Sequence, residues 1–371
     1  MNGSLSSRFV GMERIIKLLL RYKNNIKIER IQREILTKIY NRNVVRRVIV
    51  FLVPGYDIVN GGIMSIASLC SETKKLKHIH SSEVFLCTIP GDPLLLRYTK
   101  FKNDHFVFSL PLLLSYFNKL EKIMIHIPEY AVTRFKEYWK REIERREPKF
   151  ELHFNILLQN IKLLSSFEDI KALGRFGHVT CTTAHKQYTN SEIREKLGVP
   201  LHRFSVYISP EQYERRNFSE KKDIMVVSPD KSKYKKRILS SIKNGFSNLR
   251  IVIVKNIPYE KYKNLIAESK WVLTFGEGLD GYFVEGVFSG CIPFAVYNTD
   301  FFTPDFEDLP TIYPSYSIMV EKITKDLSIL NNEKSFTAYN DILFNLCSKY
   351  YNYQEYLKNI ERFYRGEYDF K

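Results

Sequence analysis

The sequence predicts an α/β protein of two domains, each built on a largely parallel sheet. Three observations carry this. The 371 residues exceed a single core of roughly 100 to 200 residues. Short apolar runs recur between glycine- or proline-bearing loops, with helix-like stretches separating most of them. Hydrophobic residues make up 44% of the chain, with 26 Phe and 24 Tyr among them, enough to fill two interiors.

The first element is basic. Residues 1–47 hold twelve Lys and Arg against three Glu, a local +9 out of a net +16, so the body that follows is nearly ordinary in charge. Ile15, Leu18 and Leu19, then Ile28, Ile31, Ile35 and Ile39, recur at helical spacing. That predicts two short amphipathic helices over 1–43. They either pack on protein, including another subunit in a homo-oligomer, or lie on an anionic membrane, where each cation near the surface contributes about 1 kcal/mol. Nucleic acid is the least favoured partner, because no recognised motif accompanies the charge. No apolar run reaches the ~18 to 20 residues that span a bilayer. Lys17 and Arg21 interrupt the first apolar stretch, which also lacks the small-residue cleavage site of a secretory signal. The expectation is a cytoplasmic protein, with peripheral attachment to the inner face of the membrane as an option. Cys70, Cys87, Cys181, Cys291 and Cys347 are odd in number and widely spread, which points to buried thiols rather than disulfides or a metal site.

From Val44 the pattern becomes α/β. Val48–Val53 reads as a buried strand ending in Pro54-Gly55, followed by Gly61-Gly62 and an apolar helix from Ile63 to Leu69. Strand, glycine loop and helix make a Rossmann-like opening. Further strands are read at 84–87, 122–125, 154–158 and 178–181. His126 follows the second of these, where an imidazole is suited to a sugar hydroxyl or a developing charge. A helix over 191–197 and the turn Gly198-Val199-Pro200 close a first domain of 44–212, and the charged stretch 211–222 reads as a linker.

The second domain, 222–345, opens with a strand at Ile224–Val227 and a loop containing Lys231 and Lys233. Strand Leu249–Val254 and a helix from Tyr259 to Ser269 follow. The richest segment comes next. Trp271–Thr274 reads as a short buried strand, and Gly276, Gly278 and Gly281 permit a sharp turn close to a ligand. A helix starts near Tyr282, so its free N–H groups and dipole favour a phosphate, while the helix aims Glu285 back at the same crevice. Glu277 and Glu285 therefore bracket a phosphate cradle at the carboxyl end of a strand, where open α/β sheets bind ligands. Residues 346–371 form a terminal helical segment.

These residues resemble a known family. A Glu, seven residues, a second Glu on the following helix and then Ser289-Gly290-Cys291-Ile292-Pro293 look like the donor-site signature of retaining GT-B glycosyltransferases, glycosyltransferase family 4 in particular. The resemblance implies two Rossmann-like domains facing across a cleft, with a terminal helix crossing back. It places Glu277 beside the donor sugar and Glu285 on the ribose of a nucleotide-sugar donor. Gly278, Asp280, Gly281, Tyr282 and Phe283 become donor-loop residues, and Gly61 and Gly62 approach the donor phosphates or the acceptor. It also expects an Arg and a Lys after the 224–227 strand to neutralise the diphosphate. Lys231 or Lys233 fits the Lys, and the Arg position reads as Ser or Pro. The family's Asp-x-x-His-x-His strand end is matched only at Ile125-His126. Where the family reads Gly-Phe-Gly-Leu-Pro, this chain has Gly278-Leu279-Asp280-Gly281-Tyr282, so Asp280 and Tyr282 should alter sugar contacts. The acceptor class implied is a glycan or lipid-linked glycan, in surface polysaccharide or glycoconjugate synthesis.

Glycosyl transfer needs fixed donors for the charge gathering on the leaving diphosphate. The lysines, the loop amides and a helix dipole supply them. The chain has no D-x-D triplet, which argues for a metal-independent enzyme without cofactor, with Glu277 and His126 as catalytic candidates. The rival readings are an inactive GT-B-like binding or scaffold protein, an epimerase or phosphorylase on the same fold, and an RNA-binding module using the basic segment.

Overall fold

The computed structural model describes residues 3–143, 150–164, 166–255 and 257–371, with side chains for all of these except 3–18 and 143. The chain forms two compact units. The first comprises 1–182, 191–202 and 361–371, and the second 183–190 and 203–360. The chain therefore passes to the second unit at Arg203, ahead of the expected 211–222 linker, and Glu361–Lys371 returns to complete the first.

In the first unit, β1 (Arg47–Val53), β2 (Glu83–Thr88), β3 (Val107–Ser109), β4 (Lys122–Pro128), β5 (Glu151–Leu158), β6 (His178–Thr183) and β7 (Leu201–Arg203) lie in the order β3-β2-β1-β4-β5-β6-β7. β3 through β5 pair in parallel. Their continuous apolar runs are explained by cover on both faces: Val48, Val50, Leu52, Ile123, Ile125, Phe154 and Ile156 are all buried. The order reverses direction between β1 and β4, as in doubly wound sheets. Phe370 pairs with Leu201 at the β7 edge, so the chain's last residues cover an otherwise open strand.

The basic segment is one helix, Gly3–Ile39, where two short ones were expected. Its continuity follows from the sequence between the two apolar clusters: Arg21 to Ile28 contains neither Gly nor Pro to stop a helix. Ile15 and Leu18 fall among the side chains that are not described. Of the other stripe residues, Ile28, Ile31 and Ile35 are half-buried, whereas Leu19 and Ile39 are exposed.

A polar network crosses the first unit's interior. His126 is fully buried in β4, with its ring stacked on Phe51 at 4.1 Å. Asn155 Nδ2 lies 2.9 Å from His126 Nδ1, and His126 Nε2 lies 3.0 Å from Tyr364 Oη, which in turn is 3.1 Å from Thr73 Oγ1. Thr180 donates to Asn155 Oδ1 at 2.9 Å, and His153 Nε2 is 2.9 Å from Thr180 Oγ1. Protonation of His126 at Nε2 satisfies every member in one direction. His126 thus fixes the returning C-terminal segment from inside the unit. It does not stand at an open strand end as the sequence suggested, because β4 continues to Pro128 and the aromatic residues of the return cover it.

In the second unit, β8 (Lys222–Val227), β9 (Arg250–Ile253), β10 (Ser269–Leu273), β11 (Ile292–Val296) and β12 (Ile312–Tyr313) form a parallel sheet in the order β12-β11-β10-β8-β9. Renumbered within the unit this is 2-1-3-4-5, the second common doubly wound order, whose switch point lies between its first and third strands, β8 and β10. Helices Lys235–Gly245, Tyr259–Glu268 and Gly281–Phe288 link the strands from β8 to β11, and Tyr316–Leu330 follows β12. All five cysteines are buried thiols.

Burial holds His126 and His153 neutral. His126 is driven well below its ordinary value, and His153 is pushed down to about 3, by loss of hydration and by neighbouring histidines. As pH falls below about 6.5 the unfolded chain gains protons on these rings that the folded unit refuses, so stability is lost on acidification. Amide exchange protection of Ile125 and Phe154 should fall steadily between pH about 6.5 and about 4. Flat protection across that window refutes the account.

Candidate functional site

The loops after β8 and β10 meet at the second unit's switch point. β10 is buried along its whole length, and Thr274–Asp280 crosses the carboxyl edge of the sheet. Gly278 has φ +86°, and a Cβ there would lie 2.8 Å from the Val296 carbonyl oxygen and 2.5 Å from the Phe302 ring, so only glycine fits. Asp280 ends the turn as the N-cap of Gly281–Phe288: its Oδ1 accepts from Phe283 N at 3.0 Å and its Oδ2 from Thr274 Oγ1 at 2.5 Å. Gly286 lets that helix lie against β10, since a Cβ would come 2.8 Å from Val272 Cγ2.

Asp280 therefore occupies the helix start that the sequence reading reserved for a ligand. Burial raises its carboxyl to about 7, with the nearby Asp230 and Glu277 charges adding to the rise. Phe283 lends only its amide to the cap; its side chain is fully buried against Phe302 and Phe306. The Phe283 side chain therefore belongs to the core and not to the donor-binding set it was read into, and both oxygens of Asp280 are taken by the cap and Thr274.

Glu285 lies one turn further on, 5% exposed. Tyr259 donates to its Oε1 at 3.0 Å, and Tyr213 Oη is 2.8 Å from Tyr259 Oη. Burial raises Glu285 to about 7 against the opposing pull of the tyrosine hydrogen bonds. Tyr282 is half-buried, edge-on to Tyr262 at 5.5 Å. Glu277 is half-buried on the loop itself, and its charge is felt by Tyr188 and Asp280.

From β8, Ser228 ties the two loops together: its amide donates to Leu273 O at 2.9 Å and its Oγ accepts from Phe275 N at 3.1 Å. The Asp230 carboxylate lies against Gly276, 3.1 Å from where a Cβ would stand. Lys231 and Lys233 are exposed, and Lys233 Nζ sits 5.2 Å over the Tyr234 ring. The cation that turns into the switch point is Lys235. Its Nζ donates to Ser228 O at 2.5 Å and Asp230 O at 3.0 Å and lies 5.2 Å over the Phe275 ring, with partial burial lowering its pKa. Lys235 begins the helix that follows β8, and that position was the available signal for it in the sequence. Tyr316 adds a further tie, donating to Phe275 O at 2.8 Å. Beside Leu279 a hollow is walled by His185, Lys186, Arg203, Phe301 and Tyr350.

Glu277, Gly278, Asp280, Gly281 and Glu285 are thus gathered in one strand-turn-helix, joined by Lys235. Gly61, Gly62 and His126 lie in the first unit. Gly61 and Gly62 open the helix after β1, where Asn60 caps Ile63 N at 3.2 Å and Gln159 Nε2 donates to Gly62 O at 3.1 Å. Gly61 has open space around it, whereas a Cβ on Gly62 would meet Gln159 Oε1 at 2.6 Å.

No protein-family profile and no curated protein sequence matches the chain. Solved structures do. HepE of Anabaena in complex with UDP-glucose is similar with a TM-score of 0.53 and 11% identity, covering 86% of this chain and 99% of that one. An α-glucosyltransferase in complex with UDP-glucose and DNA containing an abasic site gives 0.52 and 10%, over 85% and 98%. The α,α-trehalose 6-phosphate synthase of Burkholderia multivorans gives 0.50 and 10%, over 87% and 99%. At such identities the likeness shows the fold alone: two Rossmann-like units of the GT-B class.

The glycine geometry is directly testable. Gly278→Ala should cost the second unit roughly 2 to 4 kcal/mol, from left-handed backbone and a clash with a carbonyl that cannot move aside. Gly281→Ala, whose Cβ would sit at an ordinary 3.5 Å from Glu285 Oε1, should be nearly neutral. Urea denaturation compares the two, and equal effects contradict the assignment.

Proposed function

We propose that this chain is a glycosyltransferase that moves a sugar from a nucleotide-sugar donor to a glycan or lipid-linked acceptor, without a metal ion, in polysaccharide or glycoconjugate synthesis. The observation that carries the reading is the convergence of Glu277, the buried Glu285 and the Lys235 ammonium on one switch point. Ligands of open α/β sheets bind at such points. The GT-B fold and the nucleotide-sugar complexes of two similar structures support it.

In this reading Lys235 and the loop amides hold the donor diphosphate. The bond from the anomeric carbon to the phosphate oxygen breaks, and its electron pair stays on that oxygen, where the ammonium stabilises it. The acceptor hydroxyl oxygen bonds the anomeric carbon and passes its proton to the departing phosphate. Glu277 stabilises the positive charge that builds on the sugar ring. Glu285, steadied by Tyr259, accepts from the ribose hydroxyls. Retention of configuration rests on the family resemblance.

Two predictions test these roles. Glu277→Gln should lower turnover by roughly a hundredfold or more with donor KM changed only a few-fold, whereas Glu285→Gln should act mainly on donor KM. A thermal-shift panel of UDP-, GDP-, CMP- and dTDP-sugars selects the donor for these assays. Near-wild-type rates in both variants, at limiting and saturating donor, defeat the assignment. Conversion of the donor sugar without any acceptor identifies an epimerase instead.

The second concerns pH. Asp280 and Glu285, both held near 7 beneath the donor loop, are neutral acids below that pH and anions above it, so their charge opposes an incoming diphosphate only on the alkaline side. Donor affinity should therefore weaken as pH rises through about 7, and Asp280→Asn, which keeps a capping oxygen, should flatten the dependence and bind more tightly at alkaline pH. Calorimetric titration of both proteins with the donor across that range checks it; identical pH profiles show that the Asp280 charge does not reach the donor.

A further inference from the structure

The Gly3–Ile39 helix presents two different faces over its described side chains. One is docked. Gln32 is fully buried, its Nε2 donating to Val107 O at 2.8 Å and its Oε1 accepting from Ser109 N at 3.0 Å. Leu36, one turn on, is also fully buried, and Asn25 Oδ1 accepts from Leu94 N at 3.1 Å. This face uses up the Ile28, Ile31 and Ile35 stripe, so whatever the segment does beyond docking falls to other residues.

The other face carries Leu19, Tyr22 and Ile26, at 56%, 66% and 52% exposure, three and four residues apart and therefore on one side of the helix. Leu20 beside them is 62% exposed. Lys23, Lys27, Arg30 and Arg33 are exposed around this patch, with Arg30 paired to Glu34 at 3.3 Å and Glu29 half-buried, while Arg21 turns to the docked side and donates to Gly91 O at 2.6 Å. A second copy of this chain is a poor occupant, since it would bring the same cations against each other. A nucleic-acid backbone satisfies the cations and leaves the leucines and isoleucine in water. An anionic bilayer surface supplies phosphate for the first and an apolar phase for the second. No described helix is long and apolar enough to cross a membrane, so the mode open to it is lying in the interface plane.

We propose that the Leu19–Tyr22–Ile26 face of this helix seats the protein on anionic lipid, with Lys23 and Lys27 on the headgroups. The inference is independent of the sugar-transfer reading.

The test is co-sedimentation of the full chain with phosphatidylcholine vesicles, with and without phosphatidylglycerol, at low and physiological salt. Wild type should bind the anionic vesicles, less so at higher salt. Lys23→Ala with Lys27→Ala should lower the partition coefficient by roughly thirtyfold. Leu19→Gln with Ile26→Gln should also abolish most binding. All four positions are exposed, so unchanged thermal unfolding and donor binding show that the variants are folded. The proposal is overturned by absence of binding at low salt, or by wild-type binding in both double variants. It is equally overturned by a wild-type solution mass of two chains that the apolar variant reduces to one, or by RNA binding that survives in the apolar variant while vesicles are ignored.

Discussion

One ammonium holds the second unit's site in place. Lys221 is buried, and its Nζ donates to Ala267 O at 2.9 Å, Ser269 O at 3.0 Å and Ser289 O at 2.8 Å. These carbonyls sit at the end of the Tyr259–Glu268 helix, at the start of β10 and at the C-cap of Gly281–Phe288. A helix end leaves carbonyls without partners and carries negative dipole charge, so a single cation answers two such ends at once. Burial lowers the pKa of Lys221 through lost hydration, and the carbonyls compensate by taking each of its donors. With the base of β10 and the end of the following helix fixed together, the Thr274–Asp280 loop between them has little freedom. The positions of Glu277 and Glu285 follow from that closure.

The electrostatics at the opposite end of the same helix have the reverse character. Asp280 and Glu285 are buried carboxyls answered by hydroxyls and an amide, with Lys235 bound to backbone carbonyls rather than to either of them. Hydroxyls stabilise a carboxylate less than a cation does, so desolvation wins and both groups rise to about 7. Lys235 instead feels the Asp230 carboxylate at the same loop. The tyrosines around Glu285 cannot take up its charge either, because burial raises the hydroxyls of Tyr213, Tyr259 and Tyr262 far above their ordinary range. They remain protonated under all ordinary conditions, so Tyr259 donates to Glu285 whenever that carboxyl is ionised.

How much of this could be read beforehand depended on how local the determinants were. Most strands announced themselves as apolar runs, because cover on both faces forces continuous Val, Ile and Leu. β3, β7 and β12 did not: at three, three and two residues they carry no periodicity, and they exist because a neighbouring strand offers an edge. The strand-turn-helix with its two glutamates was legible because every part lies within twelve consecutive residues. Asp280 was assigned to the sugar because an aspartate before a helix can cap it or face a ligand, and Thr274, which decides between them, is six positions away. Lys235 was missed in favour of Lys231 and Lys233 since the choice rests on where the next helix begins. His126 was read as a strand end because its cover comes from Phe363 and Tyr364, more than two hundred residues later.

The two units also explain how a shared fold survives at about one identical residue in ten. Parallel strands ask only for apolar bulk, which Val, Ile, Leu, Phe and Trp supply interchangeably at similar volume. Strict demands fall where backbone meets backbone or where a chain must turn against its preferred hand. In the second unit these are few: Gly278 against the Val296 carbonyl, Gly286 against β10, and Gly290, at φ +83°, against the Arg216 carbonyl at 2.5 Å. Each lies within thirteen residues of Glu277 and two of the three flank the helix that bears Glu285. In the second unit the glycines pressed against backbone carbonyls, Gly278 and Gly290, therefore flank the part that resembles a known signature. Sequence likeness confined to so short a stretch is what this division of constraint would produce.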